Sequence, residues 1–372
     1  MLKLFVTRPL PEKVLDALAE RFEMTVRPSE LPMEFDEMTA SLSDYDVVLS
    51  TLRDLYSAKV FDAVDKPRCK LLANFGVGFN HIDVAAAKGA GVLVTNTPGA
   101  VTDATADIAL TLMLMVTRRA GEGERLVRSG GWTGWHPTQM LGMHLTGKRL
   151  GILGMGRIGQ AIARRCHYGF DMTVHYCSRT PKEAVMETSW HKSAAELAAA
   201  VDVLVLAVPG GAETRHLVDT EVLKALGPDG YLVNIARGDV VGEAALIAAL
   251  EAGEIAGAGL DVYENEPEVP ETLMARSDVV LLPHLGTAAL EVREWVQSIM
   301  GGKLEERARR LAEIEASSAT DSDVRRVGID VEMPTEVTGV PELTATDLSA
   351  TTPPVAHRPD RRALMLAMVF VL

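Results

Sequence analysis

Arg237, Glu266 and His284 are three side chains of this 372-residue chain whose types together describe a reaction. A guanidinium grips a carboxylate in a fork and polarises a carbonyl next to it. An imidazole gives or takes a hydroxyl proton near neutral pH, and a carboxylate behind it holds the ring in place. The set suits hydride reduction of a 2-oxo acid to a 2-hydroxy acid. Arg237 would hold the substrate carboxylate, His284 would serve the oxygen, and Glu266 would steady His284. Singly, each has an ordinary explanation: a surface ion pair, a turn residue before Pro267, a loop histidine. Position joins them. Each follows an apolar run that reads as a strand, Tyr231–Asn234, Gly257–Leu260 or Val279–Leu282. Strands of a parallel sheet present their carboxyl ends to one cleft.

A reduction needs an electron carrier, and Gly154-Met155-Gly156-Arg157-Ile158-Gly159 supplies the place for one. It follows the apolar run Arg149–Leu153 and opens a helix through Gln160–Arg165. Gly154 permits the tight turn, Gly156 lets a pyrophosphate approach the backbone, and Gly159 lets helix and strand pack closely. The helix N-terminus offers free N–H groups to the phosphates. The next strand, Met172–Cys177, ends in Ser178-Arg179-Thr180 and not in Asp or Glu. An acidic residue there would take the ribose 2′-hydroxyl and repel a 2′-phosphate, whereas Arg179 can fork onto that phosphate. NADP(H) is therefore favoured, with NAD(H) possible; the alternative leaves Arg179 stacked on adenine or facing solvent.

The elements that must position these residues alternate as strand and helix almost to residue 300, the pattern of parallel α/β sheets. One strand series is Lys3–Thr7, Met24–Arg27, Val47–Ser50, Leu71–Asn74 and Val92–Thr95. A second is Leu150–Leu153, Thr173–Tyr176, Val203–Ala207, Tyr231–Asn234, Gly257–Leu260 and Val279–Leu282. The expected architecture is two Rossmann-like or flavodoxin-like domains with parallel sheets, joined by a long helix from Asp103 to about Arg119. Residues 1–99 with 286–304 would form a discontinuous substrate-binding domain, and 100–285 the NAD(P)-binding domain. Residues 305–372 read as an atypical tail, polar and largely disordered, whether a natural extension or a shifted or fused reading frame.

Composition narrows the partners. A net charge of −14 argues against nucleic acid or an anionic membrane, while local arginines can still capture a small anion. Cys69, Cys166 and Cys177 show no metal or disulfide spacing, which suggests a reducing compartment. The N-terminus lacks the apolar stretch of a signal peptide, and no run has the length of a membrane span. A cytoplasmic protein is expected.

The ordered segments Asn74–Asp83, Asn96–Gly99, Gly154–Gly159, Asn234–Asp239, Asp261–Pro267 and Pro283–Thr287 resemble those of the D-isomer-specific 2-hydroxyacid dehydrogenases. The likeness runs from about residue 3 to about residue 303. Within the family it is nearest the glyoxylate/hydroxypyruvate reductases, through Gly131–Pro137 and Ser178-Arg179-Thr180. The resemblance implies that Arg237, Glu266 and His284 are the catalytic trio, and that the N–H groups of Val77 and Gly78 help hold the substrate carboxylate. It places Thr102 on the cofactor phosphates and Asp261 on the nicotinamide amide. Val208, Pro209, Thr214, Ile235 and Gly286 would complete the cofactor lining. It implies a homodimer through the cofactor domain, with Trp132–Met140 reaching toward the partner's site. Trp135 would then be a wall of the substrate pocket, or else only an interface aromatic. His81 takes no expected role. The residues disfavour a formate dehydrogenase, which manages without a carboxylate–imidazole pair. They leave open another 2-oxo acid, a phosphoglycerate-type substrate, and a non-catalytic NAD(P)-sensing corepressor.

Overall fold

Short runs of valine, isoleucine and leucine, each followed by a helix, build two parallel sheets because such crossovers cover both sheet faces. The computed structural model describes residues 1–97, 99 and 101–292. Every described residue lies in one compact unit. Residues 293–304 of the expected return segment, the expected tail 305–372, and Pro98 lie outside the described residues.

The first sheet holds β1 (Lys3–Val6), β2 (Glu23–Val26), β3 (Val47–Ser50), β4 (Leu71–Asn74) and β5 (Leu93–Thr95), in the order β2-β1-β3-β4-β5. That is the flavodoxin-like winding, with its switch point between β1 and β3. The second holds β6 (Arg149–Leu153), β7 (Thr173–Cys177), β8 (Thr188–His191), β9 (Val203–Leu206), β10 (Tyr231–Asn234), β11 (Gly257–Leu260) and β12 (Val279–Leu281). Its order is β12-β11-β10-β9-β6-β7-β8. The chain reverses direction across the sheet between β6 and β9, which is where a dinucleotide fold opens its crevice.

The core forms on both faces of each sheet. One cluster of the first sheet gathers Met38, Leu42, Val60, Phe61 and Ala87 from its covering helices. The other joins Leu4, Val14 and Leu71 to Val101 and Val292, so the chain packs on this sheet again after its long excursion. In the second sheet, helices Thr102–Thr117 and Arg157–Phe170 cover one face through Leu112, Met113 and Ile162. Helices Thr220–Leu226 and Glu243–Glu251 cover the other through Leu223, Leu246 and Leu250.

Three differences from the sequence reading have local causes. Strand β8 was not expected, because Thr-Ser-Trp-His on a sheet edge carries no apolar run and is only partly covered. The long helix ends at Thr117, two residues early, since Arg119 turns left-handed with φ 53° before the next helix, Ala120–Arg128. The fingerprint helix runs from Arg157 to Phe170, longer at both ends than the expected Gln160–Arg165, so Arg157 and Ile158 belong to its first turn.

Cys69, Cys166 and Cys177 are buried and unpaired, and burial pushes the thiols of Cys69 and Cys166 up to about 12, so neither is a ready nucleophile. No helix of the described residues is long and apolar enough to cross a membrane.

Leu112 has no exposed surface and lies on the helix that seals β10 and β11. Leu112→Ala is expected to cost about 2–5 kcal/mol through lost burial and a cavity. Urea unfolding measures it, and a loss below about 1 kcal/mol would mean that this helix is not packed as described.

Candidate active site

The carboxyl ends of β10, β11 and β12 deliver Arg237, Glu266 and His284 on neighbouring loops. Two of these loops are shaped by buried polar side chains, Asn234 at the end of β10 and Asp261 just after β11. Asn234, the last residue of β10, accepts from the Ala236 N–H at 3.0 Å and donates to the Arg237 carbonyl at 2.9 Å. Asp261, next after β11, accepts the N–H groups of Leu285 and Gly286 at 2.6 and 2.7 Å, while its carbonyl accepts the His284 N–H at 2.9 Å. This clamp holds His284 in the left-handed region, φ 55°, which a side chain with a Cβ rarely adopts unsupported. Burial raises the Asp261 carboxyl above its ordinary value, with the two N–H groups working the other way.

Glu266 and His284 then meet, Oε2 to Nδ1 at 2.9 Å. The second carboxylate oxygen accepts the Tyr263 N–H at 3.1 Å. Burial works to raise the Glu266 carboxyl, but the bond and charge of His284, the Tyr263 N–H and the nearby Arg237 outweigh it and hold the group below its usual range. An ionised carboxylate only accepts, so the proton of the shared bond sits on Nδ1. His284 Nε2 is left as the nitrogen that can face a substrate.

Arg237 crosses to the first sheet. Its Nε donates to Asn80 Oδ1 at 3.3 Å and its Nη1 to the Ala236 carbonyl at 2.6 Å. The guanidinium lies so close to Gly78 that a Cβ there would collide with it. Burial lowers the Arg237 pKa, with Glu266 and Asp239 opposing. The loop that receives it is again set by asparagines. Asn74, at the end of β4, donates to the carbonyls of Gly76 and Gly78 at 3.0 and 2.9 Å, and Asn96 donates to that of Val77 at 2.8 Å. With its carbonyls held, the loop leaves the N–H groups of Val77 and Gly78 without partners among the described residues. Two N–H donors beside a guanidinium are groups able to bind a carboxylate. His81, on the same loop, is buried, and burial pushes its imidazole down to about 4, with Arg237 and Arg8 adding to the fall and Asp54 opposing it.

The glycine turn fits a dinucleotide. Gly154 has φ 105°, and a Cβ on it would stand 2.7 Å from the Ala207 carbonyl carbon and 2.8 Å from the Val208 nitrogen. Space above Gly156 is open, while Gly159 is pressed against the Gly154 carbonyl. Thr102, partly buried, opens the helix that crosses from one sheet to the other. Ser178 donates to the Thr180 carbonyl at 2.6 Å, and Trp190 Nε1 donates to the Ser178 carbonyl at 3.2 Å, so the loop after β7 is folded. Arg179 stands exposed there, and Arg157 is exposed at the helix head. Thr214 closes the turn after β9 by donating to the Pro209 carbonyl at 2.8 Å, with Val208 partly buried in that turn. Ile235 is buried after β10, and Gly286 lies under the Asp261 clamp, its carbonyl accepting from Thr105 Oγ1 at 2.9 Å.

Trp135 is 80 % exposed in the single chain. One placement was not expected. Asp261, expected only on the nicotinamide amide, is also the clamp of the His284 loop. A charged residue directly after a strand was the signal for it. No group of three or more His, Cys, Asp or Glu suited to a metal ion occurs among the described residues.

Comparison with known proteins agrees with this architecture. Residues 110–286 match the family model described as D-isomer specific 2-hydroxyacid dehydrogenase, NAD binding domain. A glyoxylate reductase from Thermococcus gammatolerans is 42% identical over 308 residues, covering 81% of this chain and 91% of that relative. A glycerate dehydrogenase from Hyphomicrobium methylovorum is 37% identical over 296 residues, covering 78% of this chain and 91% of that protein. Among solved structures, an NADPH-dependent glyoxylate/hydroxypyruvate reductase from Sinorhizobium meliloti, in complex with NADP and malonate, superposes with a TM-score of 0.73. It is 37% identical, over 82% of this chain and 92% of that one.

The Asp261 clamp is testable without substrate. Asp261→Asn sets an amide donor against a main-chain N–H, and stability is expected to fall by about 1–3 kcal/mol. Thermal or urea unfolding reads this, and an unchanged midpoint would mean that both oxygens are not engaged.

Proposed function

The chain belongs to the D-isomer-specific 2-hydroxyacid dehydrogenases, NAD(P)-dependent oxidoreductases, and from that premise we propose that it is an NADPH-preferring reductase of small 2-oxo acids. Glyoxylate and hydroxypyruvate are the leading substrates, giving glycolate and D-glycerate. The carrying observation is the Glu266–His284 pair at 2.9 Å on loops beside the one from which Arg237 reaches Gly78.

Arg237 and the N–H groups of Val77 and Gly78 bind the substrate carboxylate, fixing the carbonyl carbon and polarising its oxygen. The bound nicotinamide supplies a hydride to C2 of the substrate. His284 donates its Nε2 proton to the oxygen as negative charge develops there, and Glu266 stabilises the ring while it is charged. Gly154, Gly156 and Gly159 and the helix N-terminus behind them hold the pyrophosphate, with Thr102 alongside. Val208, Pro209, Thr214, Ile235 and Gly286 would complete the cofactor lining, with Asp261 on the nicotinamide amide. Arg179, between Ser178 and Thr180, takes the 2′-phosphate, and its exposure, with no ion pair to it among the described residues, supports that assignment.

In this reading residues 1–99 with 286–304 bind substrate and 100–285 bind the cofactor. The exposed stretch with Trp132 (53%), Trp135 (80%) and Leu141 (68%) supports a homodimer formed through the cofactor side. Trp135 would there reach the partner's substrate pocket.

Initial rates of NADPH and NADH oxidation with glyoxylate and hydroxypyruvate test the whole reading. Fast NADPH-linked turnover is expected. Turnover with NADH alone would overturn the cofactor preference, and silence with both acids would turn attention to a larger 2-oxo acid or to a sensing role. His284→Ala is expected to lose about 10²–10⁴-fold in kcat. Arg237→Ala should lose about 2–4 kcal/mol of transition-state stabilisation, seen in kcat/KM. Near-normal turnover in either variant would remove that residue from its role. Arg179→Ala should lower kcat/KM for NADPH by roughly tenfold and leave NADH unaffected, the mark of one lost phosphate contact.

A further inference from the structure

Glu264 lies two residues before Glu266 and outside the trio, yet it ties three loops together. Its Oε1 accepts from His216 Nε2 at 2.8 Å and from Arg215 Nη2 at 3.0 Å, both on the segment after β9. Its Oε2 lies 3.5 Å from the Glu243 N–H, at the head of the helix after β10, and its own N–H faces Glu243 Oε2 at 3.4 Å. Main-chain bonds run beside the clasp. The His216 N–H donates to the Asp239 carbonyl at 2.7 Å, and Val218 and Gly242 bond across to Val240 and Val218 at 3.0 Å each. Gly238, next to Arg237, is pressed on the backbone of Tyr263 and Glu264 so closely that a methyl group would overlap it.

The segment so fastened separates the dinucleotide turn from the trio. At one end Ala207 and Val208 touch Gly154; further on, a Cβ at Gly210 would stand 2.7 Å from Arg237 Cγ. At the far end His216 holds a left-handed φ of 50°, a conformation that its grip on Glu264 and Asp239 helps to retain. Only 18% of the Glu264 side chain is exposed. A carboxylate shared by an imidazole and a guanidinium in such a place binds more firmly than an open surface pair.

We propose that Glu264 is a positioning residue for the nicotinamide cofactor: by gripping Arg215 and His216 it fixes the Ala207–Thr214 turn against the loops that bear Arg237 and Glu266. It thereby sets the distance between the bound dinucleotide and the groups that handle the substrate. The identity of the reaction rests on the reductase reading, but the claim itself concerns cofactor affinity and is read without turnover. Arg237, Val77 and Gly78 keep the substrate carboxylate when the clasp is lost, so the 2-oxo acid KM at saturating NADPH is spared.

The experiment uses the full chain as wild type, Glu264→Ala, Glu264→Gln, His216→Ala and the Glu264→Ala/His216→Ala double variant. NADPH affinity comes from fluorescence titration, kcat and both KM values from initial rates, and folding from thermal unfolding. Glu264→Ala is expected to weaken NADPH binding and lower kcat by about 5–20-fold each, the scale of a misplaced contact, with the 2-oxo acid KM within about twofold. Glu264→Gln, which keeps an acceptor oxygen, should recover most of the affinity, and the double variant should bind no worse than Glu264→Ala. Unchanged NADPH affinity in folded Glu264→Ala overturns the proposal, as does an equal rise in the 2-oxo acid KM. Should Glu264→Ala fail to fold, His216→Ala decides, and wild-type affinity there overturns it. A wild-type chain that binds NADPH but reduces no 2-oxo acid defeats the reductase reading alone. One that binds neither NADPH nor NADH defeats both.

Discussion

The site depends on the Asp261 carboxylate and the two main-chain N–H groups it holds. Those bonds, at 2.6 and 2.7 Å, fold the loop after β12 back over the end of β11 and keep His284 in a backbone region that it would otherwise leave. Without them the imidazole would have no fixed direction, and Glu266 would have nothing to meet. The clamp is built where it is cheap. A parallel strand ends with unpaired main-chain groups that need partners, and a buried carboxylate supplies two acceptors at once.

The same economy explains how two sheets with unrelated windings meet at one point. Strands β4 and β10 both end in asparagine, and each amide bonds to main-chain groups two to four residues on. One loop is thereby turned so that the Val77 and Gly78 N–H groups have no partner among the described residues, the other so that its arginine projects. They come together where the Arg237 guanidinium lies against Gly78, which leaves no room for a side chain. A cation placed there has its charge opposed by burial and supported by Glu266 and Asp239, and it is held in place before any anion arrives.

Much of this was legible before any coordinates. Eleven of the strands follow from apolar runs, since a doubly covered parallel strand must be apolar on both faces. Strand β8 escaped because an edge strand with partly exposed Thr188, Ser189, Trp190 and His191 has no such constraint. The positions of Arg237, Glu266 and His284 at strand ends could be read from spacing. Their distances could not, because those come from Asn234 and Asp261 side chains bonding to main-chain atoms up to twenty-five positions away and from the Tyr263 N–H donating to the Glu266 carboxylate. Glu264 and His216 were invisible for the same reason: their pairing spans 48 residues and has no sequence pattern.

The helix Thr102–Thr117 belongs to both cores: Val101 and Ala104 pack with the first sheet, Ala106 to Val116 with the second. The chain recrosses beside it, and Thr105 Oγ1 is bonded to the Gly286 carbonyl between the two strands of connection. Among the described residues, both crossings between the lobes therefore pass through one small region, the natural place for a pivot. A rotation about a pivot moves points in proportion to their distance from it. His284 is two residues from the Gly286 side of that pivot, and the loop of Val77 and Gly78 is bonded through Asn96 and Thr97 to the stretch that leads into its other side. A rotation there would displace both loops little and carry the outer rims of the lobes furthest. The candidate site would keep its spacing while the distant edges travel.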